Sequence, residues 1–346
     1  MAKTVHFRVT DVREETADVK TFLLQPKNNA PFFYEAGQFL TFIFQHHGHE
    51  IRRSYSISSS PHVAESVSIT VKREPNGIIS RWMFEYLQPG TELEALEPSG
   101  IFVLKPGSGK PRDIFLIAAG SGITPVFSIL KSALATEPSA NVTLIYSNHQ
   151  PQTTIFYQSL EQLANAYKNQ LTIIFLFSNH QNVLKARLSV SSLEMLLQEH
   201  LTYKKEDALI YTCGPELFMS MVQIVALTNG FSANHIRKEI FSFDTDIKIA
   251  RPYFDETDRN ITIQYLGGSH QLLVLYNQSI LSAALDAGIQ LAYNCKSGKC
   301  SACMAKCTSG KVWMHYNEVL LPEDEASGLV LTCTGHPASD GVVISV

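Results

Sequence analysis

The chain reads as a multidomain protein of three unlike parts in series: an antiparallel β-barrel, an α/β domain with a parallel sheet, and a small β-rich domain holding a cysteine loop. Three observations point there. Short alternating apolar segments fill residues 1–108, continuous apolar runs alternate with helical stretches over 109–243, and a Cys295-x₄-Cys300-x₂-Cys303 run lies near the C-terminus. A length of 346 residues exceeds what one core holds and suits two or three domains.

The first part carries Val5–Val9, Phe39–Phe44 and Val67–Val71, separated by Gly, Pro and Ser clusters, which is all-β patterning of the barrel type. The second carries Ile114–Ala118, Val142–Tyr146, Leu171–Phe177 and Ala208–Tyr211. Runs apolar at every position suit strands covered on both faces, as in a parallel sheet with helices on either side. Residues 244–258 hold Asp244, Asp246, Asp255, Glu256 and Asp258 against Lys248 and Arg251, with Pro252 among them, and read as a linker. The third part, 259–346, opens with Ile261–Leu266 and a hairpin turn at Gly267-Gly268.

The cysteine spacing is specific. Cys333 follows Cys303 after 29 intervening residues, and C-x₄-C-x₂-C…C is the ligand pattern of a plant-type [2Fe–2S] centre. Zinc sites instead pair one short Cys unit with a second Cys or His pair, and none accompanies Cys333. Taking Cys307 as fourth ligand gives C-x₄-C-x₂-C-x₃-C, but a four-iron run has two residues in its first gap and proline after its last cysteine, where Thr308 stands. Tyr293 through Val312 resembles the plant-type ferredoxin loop and its following strand, which implies a β-grasp domain with Cys295, Cys300, Cys303 and Cys333 as metal ligands. In that loop the position of Cys307 is an apolar strand residue, so Cys307 is expected to be a small buried hydrophobe.

Two further segments suit phosphates. In Arg53-Ser54-Tyr55-Ser56 the guanidinium can pair bidentately with a phosphate, the ring can stack on a planar ligand and the hydroxyl can reach its polar edge. Val71-Lys72 precedes Gly77-Ile78-Ile79-Ser80, which leads into an apolar helical stretch, a ready phosphate site. Farther on, Ile114–Ala118 runs into Gly120-Ser-Gly122-Ile-Thr124-Pro125, with Thr124 suited to the N-cap and Pro125 to the first helical position. Leu209–Thr212 runs likewise into Cys213-Gly214-Pro215, with Pro215 as first helical residue and Gly230 just past the helix end.

Together these motifs resemble the ferredoxin–NADP reductase superfamily, in its oxygenase-reductase branch with a C-terminal ferredoxin domain. The motifs are similar to those of the reductase subunits of phenylacetyl-CoA epoxidases, and of reductases of hybrid-cluster proteins and fatty-acid desaturases. The resemblance implies a 1–108 domain binding FAD, or alternatively FMN, through Arg53, Ser54, Tyr55, Ser56, Val71, Lys72, Gly77, Ile79 and Ser80. It implies a 109–243 domain binding NADH or NADPH through Gly120, Gly122, Thr124, Pro125, Cys213, Gly214 and Pro215. Tyr55, Ser56, Thr124 and Cys213 would border the hydride-transfer point; Cys213 is otherwise a structural thiol. Phe241 or Phe243 either shields the flavin or belongs to the core.

The implied activity is a reductase that accepts a hydride and passes single electrons through the cluster to a partner oxygenase or other electron-accepting protein. A redox-responsive regulatory or binding subunit is the alternative. In NADPH-using relatives an Arg often follows the serine after the later strand, where Asn179 stands here, so a modest NADH preference is expected; Lys185 and Arg187 are the nearby basic residues. A net charge of −4 gives no basic surface for nucleic acid, and no apolar run reaches the length of a membrane span. The start lacks the apolar core of a signal peptide, and six cysteines suit a reducing compartment, so a cytoplasmic protein is expected.

Overall fold

Period-two alternation builds the first sheet. Its strands are β1 (Thr4–Thr16), β2 (Val19–Pro26), β3 (Phe39–His46), β4 (His49–Ser56), β5 (Val67–Lys72) and β6 (Glu92–Leu96), all antiparallel in the order β4-β3-β6-β1-β2-β5. The two edges meet, because Ile57 bridges Ile69 and the Ser58 N–H donates to Ser68 O at 2.8 Å. The sheet thus curls into a barrel. Phe7, Phe22, Leu24, Leu40, Phe42, Ile69 and Val71 fill it, each contributing about 1.5–3 kcal/mol by leaving water. A helix, α1 (Ile78–Tyr86), packs below β5 and puts Ile79 and Met83 into the same core.

The computed structural model describes residues 4–27, 30–105, 107, 109–182, 186–241 and 256–346. They fall into two compact units, 4–241 and a C-terminal unit. The linker expected at 244–258 lies outside the described residues except for its last three, as do Phe243 and Lys185.

The second sheet of the first unit is parallel, ordered β11-β10-β7-β8-β9: β7 (Asp113–Ala119), β8 (Asn141–Asn148), β9 (Leu171–Phe177), β10 (Leu209–Cys213) and β11 (Ile236–Glu239). Its apolar runs have a physical cause. On β7, Ile114, Leu116 and Ala118 enter one core and Phe115 and Ile117 the opposite one, so every position is buried. Helices α2 (Ile123–Thr136), α3 (Tyr157–Ala166), α4 (Val190–Glu199) and α5 (Glu216–Thr228) cover the sheet. The edge strand β9 is covered less, and its Phe175 and Phe177 rings, 5.9 Å apart, are only half-buried.

Helix starts differ from expectation by one to three residues. Gly122, not Thr124, caps α2, because the Gly120–Gly122 turn winds straight into the helix; Thr124 then lies inside the first turn, its hydroxyl donating to Ser121 O at 2.7 Å. Pro215 is the cap of α5 rather than its first residue, and Gly77 caps α1, which puts Ser80 within the first turn instead of before it. Gly230 does follow the end of α5, with φ of 81°.

The C-terminal unit holds β12 (Arg259–Tyr265), β13 (Gly268–Val274), α6 (Ile280–Asp286), β14 (Met304–Ser309), β15 (Val312–Met314), α7 (Pro322–Ala326), β16 (Leu329–Leu331), β17 (Gly335–Pro337) and β18 (Val343–Ser345). Its main sheet runs β13-β12-β18-β14-β16, mixed, with β12 and β18 parallel; β15 and β17 form a separate pair. The β12–β13 turn is Leu266-Gly267 rather than Gly267-Gly268, since Tyr265 pairs with Gly268 and both turn residues have positive φ, 50° and 76°.

Candidate functional site

The parallel sheet reverses its order between β7 and β10, and the loops leaving their carboxyl ends, Gly120–Gly122 and Cys213–Pro215, flank that point. Such a switch point opens a crevice where ligands bind in α/β sheets. The loops touch backbone to backbone. A β-carbon on Gly122 would fall 2.2 Å from Cys213 O and one on Gly214 would fall 2.9 Å from the Ala119 side chain, so glycine alone fits this floor. At the end of neighbouring β8, the buried Ser147 Oγ has no hydrogen-bond partner among the described residues. A thin glycine floor with an unsatisfied hydroxyl beside it suits a dinucleotide laid across the strand ends. Thr124 and Pro125 are buried and hold the turn; the hydroxyl of Thr124 is engaged by Ser121.

Between the two sheets of this unit lies a contact that sequence reasoning missed. Ser56, at the end of β4, donates its hydroxyl to Glu239 Oε2 at 2.8 Å, and Glu239 closes β11. Glu239 is only 9% exposed. Burial pushes its carboxyl up to about 8, with the Ser56 hydroxyl acting weakly the other way, so the group is largely protonated at neutral pH. Cys213 pairs with Glu239 in the β10–β11 register, and burial, reinforced at higher pH by the charge Glu239 carries once ionised, pushes its thiol well above the usual range. A neutral thiol of this kind packs but does not attack. Phe241, two residues beyond Glu239, is 41% exposed, which removes the reading of it as core.

The residues expected beside the flavin lie in different surroundings. Arg53 is exposed and donates to Arg52 O at 2.7 Å; Ser54 bonds Thr41 across the β3–β4 ladder at 2.8 Å; Tyr55 packs 6.2 Å from Phe42, and burial raises its hydroxyl well above the usual range. Val71 and Ile79 face the barrel core, so only their backbone can meet a ligand, whereas Lys72 is exposed. The N-terminus of α1 has no side-chain cap, and a β-carbon on Gly77 would collide with Ser80 Oγ at 2.2 Å. Uncapped N–H groups beside an exposed Arg53 are of the chemistry a pyrophosphate requires.

In the C-terminal unit, Cys295, Cys300, Cys303 and Cys333 are free thiols, three of them buried. The four interact as one connected group, Cys295 with Cys300 and with Cys333, and Cys333 with Cys303. Among the described residues no group of three or more His, Cys, Asp or Glu side chains is arranged to hold a single metal ion. Four thiols gathered in one group are the number of ligands that a [2Fe–2S] centre takes. Lys296, Gly298 and Ser301 have positive φ of 55°, 74° and 55°, which turns the loop so that backbone N–H groups face sulfur: Cys295 N–H lies 3.5 Å from Cys300 Sγ and Ser297 N–H 3.4 Å from Cys295 Sγ. Thr332 donates through both its N–H and its hydroxyl to Cys303 O, at 3.1 and 3.0 Å, which docks the Cys333 segment on the loop. Cys307 lies on β14 with its thiol directed at Ser309 O, 3.2 Å away. It is half-buried rather than buried, at the point where β14 bulges against β18 between Cys307 and Ser309.

Comparison with known proteins finds three family models along the chain. The family described as oxidoreductase FAD-binding domain matches residues 6–103, oxidoreductase NAD-binding domain matches 116–224, and 2Fe-2S iron-sulfur cluster binding domain matches 266–338. The ferredoxin reductase component of 3-ketosteroid-9-alpha-monooxygenase from Mycolicibacterium smegmatis is 33% identical over 99% of this chain and 96% of its own. A component of the 1,2-phenylacetyl-CoA epoxidase of Escherichia coli K12 is 32% identical over 97% and 96%. The glycine betaine monooxygenase reductase of Chromohalobacter salexigens is 29% identical over 96% and 93%. Among solved structures, phthalate dioxygenase reductase shares the fold, with a TM-score of 0.60 and 24% identity over 99% of this chain and 98% of that one. The chain belongs to the family of oxygenase ferredoxin reductase components, built from an FAD-binding, an NAD-binding and a [2Fe–2S] domain.

Proposed function

We propose that the chain takes a hydride from NADH or NADPH at the crevice between β7 and β10 and delivers single electrons, through Cys295, Cys300, Cys303 and Cys333, to a partner oxygenase in the cytoplasm. The observation that carries the reading is the Ser56–Glu239 bond, which joins the end of the flavin-side strand β4 to the end of the nicotinamide-side strand β11. Bound FAD supplies the conversion from a two-electron hydride to one-electron steps, which a [2Fe–2S] centre requires.

The protein's part is positioning and protection. Gly122 and Gly214 let the dinucleotide approach the backbone, and Arg53 with the α1 N-terminus holds the flavin's phosphates. Ser56 and protonated Glu239 offer a hydroxyl and a carboxylic acid at the meeting point without a buried negative charge, which beside the flavin would oppose the arrival of a hydride. Cys213 fills the space beside them as a neutral thiol. The two lobes are clamped by Ser128 donating to Ser59 O, by Ser60 with Ser132 at 2.9 Å, and by Lys131 with Glu65, so this geometry is held before any ligand arrives.

Thiolates intended for iron suit a reducing compartment, which supports a cytoplasmic setting. Steady NADH-dependent reduction of cytochrome c by the loaded protein tests the reading; absence of turnover with both cofactors bound would sink it.

A further inference from the structure

Lys299 sits between Gly298 and Cys300, in a loop of otherwise small residues and thiols. Its side chain is only 1% exposed, one of the largest fully buried side chains in the protein. Burying an ammonium is costly unless an opposite charge accompanies it. Glu318 does so: its Oε2 lies 3.9 Å from Lys299 Nζ, and the Tyr316 hydroxyl donates to the same oxygen.

The backbone ties this pair to the cluster loop through specific contacts. Glu318 N–H donates to Gly298 O at 3.1 Å, and a β-carbon on Gly298 would fall 2.7 Å from Tyr316 O. At the other end of the same short segment, His315 N–H donates to Thr334 O at 3.0 Å, next to Cys333. Residues 315–318 therefore bridge the two cysteine-bearing segments, and the ion pair lies within that bridge.

We propose that Lys299 and Glu318 form a charge-balanced positioning pair that sets the reduction potential of the iron–sulfur centre. Reduction adds one negative charge to the centre, so an uncompensated cation nearby favours the reduced state and an uncompensated anion the oxidised one. Lys299 is the chain neighbour of Cys300, the Glu318 backbone is held at Gly298, and the two side chains pair with each other, so the opposite charges offset one another against the cysteine loop. A brace that merely packed would have no sign. The inference rests on the four cysteines being the ligands.

The test uses the full chain loaded with FAD and cluster, in Glu318→Gln, Lys299→Met and the double variant, with the cluster's potential titrated by its EPR signal at a fixed pH near neutrality. Glu318→Gln is expected to move the equilibrium about tenfold toward the reduced cluster, roughly 59 mV upward for one electron. Lys299→Met is expected to move it about as far the other way, and the double variant to return it close to wild type. Shifts of one sign in both single variants, or none with full cluster content, would overturn the pair. Where a single variant fails to hold the cluster, the double variant decides: retention with wild-type potential supports the pair, and loss there too refutes it. A wild-type protein without a [2Fe–2S] signal would refute the ligand reading instead.

Discussion

Glu239→Gln removes a titration that burial has displaced into the neutral range. The carboxyl is raised from the ordinary 4.5 to about 8, chiefly by burial and against the Ser56 hydrogen bond. Between those values the folded chain keeps a proton that the unfolded chain has released. The native state then binds more protons, so stability falls as pH rises through the window and recovers as pH falls below it. Each unit of difference is worth about 1.4 kcal/mol, so going from about pH 5 to about pH 8 costs the wild type roughly 3 kcal/mol at this one group. Glutamine cannot ionise, yet its carbonyl still accepts from Ser56. Urea unfolding followed by circular dichroism at several pH values reads the difference directly. With slopes of a few kcal/mol per M, the wild-type midpoint should fall by about 1 M more than the variant's over that range. Parallel pH profiles for the two proteins would refute the buried, protonated Glu239 and the role assigned to it.

Other outcomes follow from the same geometry. Cys333→Ser should abolish the visible cluster spectrum while Cys307→Ser keeps it, because the Cys307 thiol is directed at Ser309 O and away from the four. Gly122→Ala puts a methyl group 2.2 Å from Cys213 O, so it should raise KM for the nicotinamide at least tenfold or prevent soluble expression; unchanged kinetics would exclude the glycine floor. Steady-state kcat/KM for NADH should exceed that for NADPH by a modest factor, since the strand-end segments Ser147–Gln150 and Ser178–Gln181, joined by a Ser–His contact of 3.0 Å, contain no Lys or Arg.

The parts of the site that were legible in the sequence are those made by short contiguous segments. The Gly120–Pro125 turn, the Cys213–Pro215 turn and the Cys295–Cys303 loop each carry their own backbone requirement, so residue type at fixed spacing reveals them. The apolar runs of β7 and β8 likewise report a sheet covered on both faces. What was not legible arises from distance along the chain. Ser56 and Glu239 are 183 residues apart, and nothing local in Lys238–Phe241 marks a carboxyl whose proton is retained by burial. Nothing local marks Lys299 as buried, since its partner Glu318 stands 19 residues further on. Val71 and Ile79 are expected among flavin contacts because they flank the right segments, but strand alternation and the helical period direct their side chains inward. The displaced helix caps have a similar cause: Gly120–Gly122 begins winding before Thr124, so a residue suited to capping lies inside the turn.

The central claim is an electron path from nicotinamide through flavin to the cysteine-bound cluster. Anaerobic titration of the fully loaded protein with NADH, monitored across the flavin and cluster absorption bands, tests it most directly. Bleaching of both chromophores within the first equivalents is the expected result. A flavin that reduces while the cluster stays oxidised would contradict the account.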